Sequence, residues 1–252
     1  MMRLTDIIRL TEDPENDLAM REQAVQAYNK AATFIIDPAN DESFILLDAG
    51  KKGEFYACDA DACDLGIPNT MLMIGLKPPR TIGWSGGFWR FSSPQLGKFT
   101  NAIVIQGLTE MTRPKMRAAA YSTEFRKTFC HEFMHALDNI RSNTAMMGKL
   151  AQSEDQPEYY NSPVEFNAYY HDLVGTLTEL INDIRKEPNE DPREIAAIYN
   201  ITGNFKQDLR TLVLKHADSH TKTFLTFLYE PRFKRLLRRI YKLHQILVGL
   251  LK

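Results

Sequence analysis

The segment TFCHEFMHALDN, residues 128–139, decides how this chain is interpreted. Inside it, His131, Glu132 and His135 form the pattern His-Glu-x-x-His. On an α-helix, side chains four residues apart lie one above the other, with Cβ atoms about 5–6 Å apart. Two imidazoles at that spacing can bind one zinc ion, and the carboxylate of Glu132 projects beside them. The pattern therefore predicts a metal-binding helix with an acid that can accept a proton.

The residues around this pattern divide the predicted helix, residues 121–142, into two faces. One stripe of the helix is apolar and consists of Phe125, Phe129, Phe133, Ala136 and Ile140. A second stripe, roughly opposite, collects ionisable groups: Glu124, His131, His135 and Asp138. We expect the apolar stripe to pack into a core and the ionisable stripe to face a site, because a plain surface helix would scatter lysines and glutamates there instead.

A catalytic zinc site takes a third protein ligand and keeps one position open for water. Glu165 is the best candidate, since it lies in the first turn of a second predicted helix, residues 162–186. Ser162 and Pro163 begin that helix, so Glu165 also fits a capping box, in which its carboxylate would serve the helix start instead. Three alternative donors lie near it in the sequence: Glu158, His171 and Asp172.

Two segments together carry a family resemblance, HEFMHALD at 131–138 and NSPVEFNA at 161–168. They resemble the zincin metallopeptidases of the gluzincin type. The form HEFxHxxD, with a tyrosine shortly before an N-x-x-E-F-like segment, is similar to the lethal-factor-like toxin peptidases. The resemblance covers residues 121–175.

This resemblance implies a zinc-dependent endopeptidase that hydrolyses peptide bonds of a protein substrate. The resemblance implies three zinc ligands, His131, His135 and Glu165, and one general base, Glu132. It also implies that the hydroxyl of Tyr159 or Tyr160 stabilises the oxyanion. The chain departs from the gluzincin pattern at Tyr169, where an acid often orients a zinc histidine, and Asp138 is the alternative acid for that role. The resemblance also implies a substrate-binding edge strand, which we expect in the hairpin 87–106.

Outside these segments, the sequence predicts strands first and helices second. Five short segments rich in β-branched and aromatic residues are predicted strands: 43–48, 54–58, 71–76, 87–91 and 102–106. Predicted helices precede and follow them: 16–33, 121–142, 162–186, 192–215, 220–229 and 231–250. This order indicates an α+β fold, zincin-like, with a small mixed or antiparallel sheet packed on the active-site helix.

We expect one domain over residues 1–252, which is long enough to bury a sizeable core. Within it we expect a helix-and-sheet part at 1–110, active-site helices at 111–190 and a helical part at 191–252.

Composition excludes several classes of protein. The net charge of -1 argues against a polybasic nucleic-acid binder, so we expect no nucleic-acid partner. The protein or peptide substrate is implied by the resemblance. No apolar run has the length of a membrane span, and the N-terminus does not have the features of a signal peptide. The 3 cysteines indicate a reducing compartment. We therefore expect synthesis in a cytoplasm, with delivery by a non-classical route left open.

Residues 231–252 form a basic, amphipathic C-terminal helix in this interpretation. Such a helix most often packs its apolar stripe on its own domain, and the alternative is contact with a membrane surface or an acidic partner. Two other functions therefore remain beside the peptidase. One is a zinc hydrolase with a substrate other than a peptide. The other is a non-enzymatic zincin-like interaction protein that uses this helix.

Overall fold

After a first helix, five strands precede the helices of the C-terminal part, as the sequence predicts. The computed structural model describes residues 14–50, 53–77, 85–90, 100–107, 109–141, 157–186 and 219–249. The strands are β1 (Ile45–Asp48), β2 (Glu54–Asp59), β3 (Thr70–Gly75), β4 (Ser85–Arg90) and β5 (Asn101–Gln106). The helices are α1 (Pro14–Ile36), a 3₁₀ helix (Pro38–Ser43), α2 (Arg113–Ala119), α3 (Thr123–Arg141), α4 (Pro157–Tyr160), α5 (Pro163–Lys186), α6 (Ser219–Phe227) and α7 (Glu230–Gly249).

The chain divides into two compact units. The sheet unit is Glu22–Met146, and it contains all five described strands together with α3. The helical unit is Met1–Arg21 with Met147–Lys252, and it contains α4 to α7. The fold class is therefore α+β, with a mixed sheet on a helix followed by a mostly helical C-terminal part.

The sheet has the strand order β1-β2-β3-β5-β4. β3 and β5 pair in parallel, and the other three pairs are antiparallel. β5 is an interior strand whose central residues Ala102, Ile103, Val104 and Ile105 are buried. β4 is an edge strand, so the expectation that one strand of this hairpin lies at an edge is confirmed for β4.

Both faces of the sheet are covered by apolar side chains. One face carries a core cluster of Phe55, Ala57, Met71, Met73, Ala102 and Val104, against which Trp89 packs. The pairing register places Gly86, Ile105 and Ile74 together on the opposite face. α3 lies against β4 and β5. The sheet therefore supports α3, which packs against β4 and β5.

The start of α3 is fixed by Ser122, whose Oγ accepts a hydrogen bond of 3.1 Å from the backbone N–H of Phe125. The predicted apolar stripe is confirmed over most of the helix, since four of its members are fully buried: Phe125, Phe129, Phe133 and Ala136. Ile140 differs from the prediction and is 47% exposed. It lies in the last turn, where periodicity alone does not tell whether a partner surface extends that far.

In the helical unit, one core cluster joins α4, α5, α6 and α7. Its buried members are Tyr160, Phe166, Tyr169, Tyr170, Leu173, Val174, Leu177, Phe224, Leu236, Ile240 and Leu243. The last three belong to α7, so the basic helix packs its apolar stripe inside its own unit. Among the described helices, none combines the length and the apolar character that crossing a membrane requires.

A buried polar network connects α1, α5 and α7. Arg239 donates a hydrogen bond of 2.9 Å to Asp17, and both side chains are almost fully buried. The hydroxyl of Tyr170 donates to the second oxygen of Asp17 at 2.7 Å, and the Arg239 guanidinium lies 3.6 Å from the centre of the Tyr170 ring. Burial raises the pKa of Tyr170 far above its ordinary value, so its hydroxyl keeps the proton that it donates.

Several elements were not predicted, namely the 3₁₀ helix, α2 and α4. All three are short, and short helices carry little periodicity. The helix predicted at 192–215 lies outside the described residues.

We expect Arg239→Ala to lower the free energy of unfolding by about 3–5 kcal/mol, because it leaves the buried carboxylate of Asp17 without its charge partner. Urea denaturation measures this. The matched control on the same helix is Lys234→Ala, which removes an exposed ion pair with Glu230 and should change stability by less than about 1 kcal/mol. Equal effects of the two substitutions would contradict the network.

Candidate metal centre

α3 brings the three residues of the His-Glu-x-x-His pattern together. One ligand atom from each of His131, Glu132 and His135 lies within 4.8 Å of the other two. The two imidazole rings are 4.9 Å apart between centroids and meet edge to face. This spacing confirms the geometry expected from an i, i+4 pair on a helix. The group is close enough together to hold one metal ion.

These side chains do not lie on a solvated face. His135 is 4% exposed and Glu132 is 6% exposed, while His131 and Asp138 are half-buried. Ionisable side chains are rarely buried without a specific reason. The burial therefore favours a built site over an accidental match of the sequence pattern. Within the part of the chain that the structure describes, no other group of three His, Cys, Asp or Glu residues has this spacing.

The approach of β4 to α3 is unusually close at Gly86. A Cβ atom placed on Gly86 would lie 2.6 Å from Cγ and from Oε1 of Glu132, and 2.7 Å from Cγ2 of Thr128. Real Cβ atoms essentially never come so near to other heavy atoms. Gly86 therefore lets the backbone of the edge strand contact the side chain of Glu132 directly.

Gly86 was not among the predicted site residues, since the predicted strand begins one residue later, at Gly87. Two glycines in succession inside a strand could have been the signal, since a glycine there often marks the close approach of another element. Gly87 points to the opposite face, where a Cβ would lie 2.8 Å from Nε1 of Trp89. The two neighbouring glycines thus have different neighbours, and only Gly86 contacts the metal group.

The donor set suits a transition metal of the zinc type. Imidazole nitrogen is a good ligand for zinc, copper, iron and nickel, and carboxylate oxygen suits zinc as well. The identity of the ion is therefore narrowed by the two histidines but not fixed by them.

The other predicted site residues lie in the helical unit. Tyr159 and Tyr160 form the end of α4, and Glu165 lies in the first turn of α5. Tyr160 is 3% exposed and stacks on Phe227 at 5.5 Å between ring centroids, whereas Tyr159 is half-buried. The predicted roles of these residues as ligand and oxyanion donor stay predictions.

The capping alternative for Glu165 can be examined locally. Ser162 Oγ accepts a hydrogen bond of 3.3 Å from the backbone N–H of Glu165, so Ser162 does cap α5. In a full capping box, the glutamate carboxylate accepts from the backbone N–H of the capping serine. Here that N–H donates to the carbonyl oxygen of Tyr159 at 3.1 Å. The Ser162 hydroxyl therefore caps the N-terminus of α5, and this cap does not require the carboxylate of Glu165.

The junction before α5 is fixed by Asn161. Its Nδ2 donates to the carbonyl oxygens of Pro157 at 2.7 Å and Phe227 at 2.8 Å. Its Oδ1 accepts from the backbone N–H of Tyr229 at 2.9 Å. Three bonds from one buried amide tie the start of α5 to the connection between α6 and α7.

The three alternative donors have different surroundings. Glu158 is exposed, and hydrogen bonds from its own backbone N–H and from the Tyr229 hydroxyl lower the pKa of its carboxyl. His171 is buried, and a carboxylate oxygen of Asp172 lies 3.9 Å from Nη1 of Arg21. Glu158 and Asp172 thus have other partners in the helical unit.

Comparison with known proteins adds no relative. No protein-family model, no curated protein and no solved structure matches this chain.

The contact between Gly86 and Glu132 predicts energetic coupling. We expect Gly86→Ala to cost about 1–3 kcal/mol of stability, because its new methyl group overlaps Glu132 and Thr128. In a Glu132→Ala background two of the three overlapping atoms are absent, so the cost should fall, and the double-mutant cycle should give a coupling of about 1 kcal/mol. Gly87→Ala is the matched control and should show no coupling to Glu132→Ala. If the effects of Gly86→Ala and Glu132→Ala on the free energy of unfolding were simply additive, that result would contradict the contact.

Proposed function

We propose that this chain is a zinc-dependent endopeptidase of the zincin type. The observation that carries the proposal is the His-Glu-x-x-His group, two histidines and a glutamate on one helix that packs against the edge strand of a mixed sheet. The sequence resemblance, which includes these same residues, is consistent with it. The donor set fits zinc, because two imidazoles and a neighbouring carboxylate are the residues that such sites use.

In this proposal His131 and His135 hold the ion. When bound, zinc polarises the scissile carbonyl and acidifies a water molecule. Glu132 is placed to act as the general base, and it would accept a proton from the attacking water and return it to the nitrogen of the leaving amine. The contact with Gly86 restricts the positions that the Glu132 side chain can adopt, which keeps the base oriented for both transfers.

A peptide is the substrate that this arrangement favours. Within the described residues, β4 pairs with β5 on one side and forms the edge of the sheet on the other. An extended peptide can add to such an edge through main-chain hydrogen bonds. Because Gly86 of β4 contacts Glu132, a peptide on this edge would lie beside the general base.

Glu165 is the proposed third ligand, and a tyrosine hydroxyl is the proposed oxyanion donor. The hydrogen bonding of Ser162 supports the first assignment, since the helix cap does not require the Glu165 carboxylate. For the second, Tyr159 is favoured over Tyr160, because the latter is packed among aromatic rings in the core of its unit.

The central test is metal content together with turnover. We expect about one zinc per chain in the wild type, by elemental analysis after purification without chelator, and loss of that zinc in His135→Ala. Glu132→Gln should keep the zinc and lower hydrolysis of a quenched-fluorescent peptide library by about 100- to 10,000-fold, because it removes the base but not the ligands.

Glu124→Gln is the matched control, since this residue is exposed on the same helix and should affect neither zinc nor turnover. A wild-type protein that stays free of zinc after zinc is added back would refute the metal site. A zinc-loaded protein inert to the library would refute the peptidase while leaving the metal site intact.

A second pair of variants separates ligand from cap at the start of α5. Glu165→Ala should lose most of the bound zinc if Glu165 is a ligand. Ser162→Ala removes the cap bond to the Glu165 backbone, so it should cost about 0.5–2 kcal/mol of stability in urea denaturation while zinc content stays unchanged. Unchanged zinc in Glu165→Ala would return the assignment to Glu158, His171 or Asp172.

A further inference from the structure

Two thiols outside the metal group lie in contact. Cys58 is in β2 and Cys63 is in the turn that follows, and their sulfur atoms are 3.4 Å apart. Both are free cysteines, and their residues are only 2% and 3% exposed. A disulfide bond is about 2.05 Å long, so the two sulfur atoms need to approach by little more than 1 Å.

The backbone between them is fixed in a shape that keeps the thiols face to face. Ala62 N–H bonds to the Asp59 carbonyl at 3.1 Å, and Leu65 N–H bonds to the Ala60 carbonyl at 3.1 Å. Asp64, directly after Cys63, has a φ of 52°, a left-handed conformation that reverses the chain. The thiol pair is therefore set by local structure and does not depend on an encounter between distant segments.

A metal site does not explain the pair. The described residues contain no metal-type group of three that includes either cysteine. Two thiols without further ligands fall short of the four that a structural zinc site needs.

We propose that Cys58 and Cys63 form a reversible intramolecular disulfide when the protein meets a low-molecular-weight disulfide such as oxidised glutathione. One cysteine thiolate attacks the glutathione disulfide, forms a mixed disulfide and releases one glutathione thiol. The second thiolate attacks the protein sulfur of that mixed disulfide and releases the second glutathione thiol. The protein loses two electrons and two protons, and the reagent gains them.

The surroundings determine how fast this reaction runs. The hydrogen bond with Cys63, together with burial, raises the pKa of the Cys58 thiol well above its ordinary value. Since only the thiolate attacks, oxidation is slow at neutral pH and accelerates by up to about tenfold per pH unit until the thiol titrates. The neighbouring Asp61 and Ala62 are exposed, so the turn lies at the surface, and the proposed reaction requires the turn to open locally to admit the reagent. The disulfide therefore forms slowly and stabilises the structure, and the pair does not respond rapidly to an oxidant.

The test uses the full chain in its native state with oxidised glutathione at pH 8. Before alkylation we expect an intact mass lower by about 2 Da, and alkylation of the denatured protein should then label one cysteine instead of 3. Trypsin leaves Cys58 and Cys63 together on the peptide 53–80 and Cys130 on the peptide 128–141, so the bond can be assigned directly.

Cys130→Ala is the matched control and should still form the bond, whereas Cys58→Ser and Cys63→Ser should not. The oxidised wild type should also unfold at a higher temperature than the same protein after reduction, because the bond restricts the unfolded chain. A glutathione adduct that persists on either cysteine, preferential consumption of Cys130, or reaction only after unfolding in urea would each overturn the proposal. None of these outcomes depends on zinc or on peptidase activity.

Discussion

Contact between the edge strand and the metal-bearing helix is the constraint on which the candidate site depends. At Gly86 the space that a Cβ would fill is occupied by atoms of Glu132 and Thr128, so a residue with a side chain there would push β4 and α3 apart. The helix therefore packs through two kinds of surface. Aromatic residues such as Phe129 fill the core, and Glu132 rests against bare strand backbone. Gly86 thus determines how closely α3 packs on the sheet and where the carboxylate of Glu132 lies.

The sequence predicted those parts of this arrangement that depend on local order. The i, i+4 histidines, the buried aromatic stripe and the strands before the helix all follow from periods that operate within one segment. Gly86 was missed because its role depends on a contact with residue 132, and a local pattern does not report such contacts. The exposure of Ile140 was missed for the same reason, since a helical period does not say where the supporting surface ends.

In the helical unit, too, the sequence predicted a feature that depends on local periodicity but did not predict a contact between residues far apart in the chain. The apolar stripe of α7 was predicted from its period, and Leu236, Ile240 and Leu243 are buried as expected. Arg239 lies on the same helix, and the basic, amphipathic pattern gives no reason to expect it to be buried, because arginine is usually exposed. It is nevertheless buried, and its partner Asp17 comes from near the other end of the chain. The basic helix is therefore anchored by an ion pair that composition alone would assign to the surface.

The burial of His135 and Glu132 is relevant to the function of the metal group. Burying an ionisable side chain costs free energy unless a specific partner offsets it, and both His135 and Glu132 are buried. A divalent cation held by this group would add to the interactions that these side chains already make in the structure. It binds the neutral imidazole, the form that a buried site favours, and its charge favours the ionised form of a neighbouring carboxylate. The burial of this pair therefore favours a metal site over an accidental match of the sequence pattern, and hydrolysis remains a proposal that rests on that site.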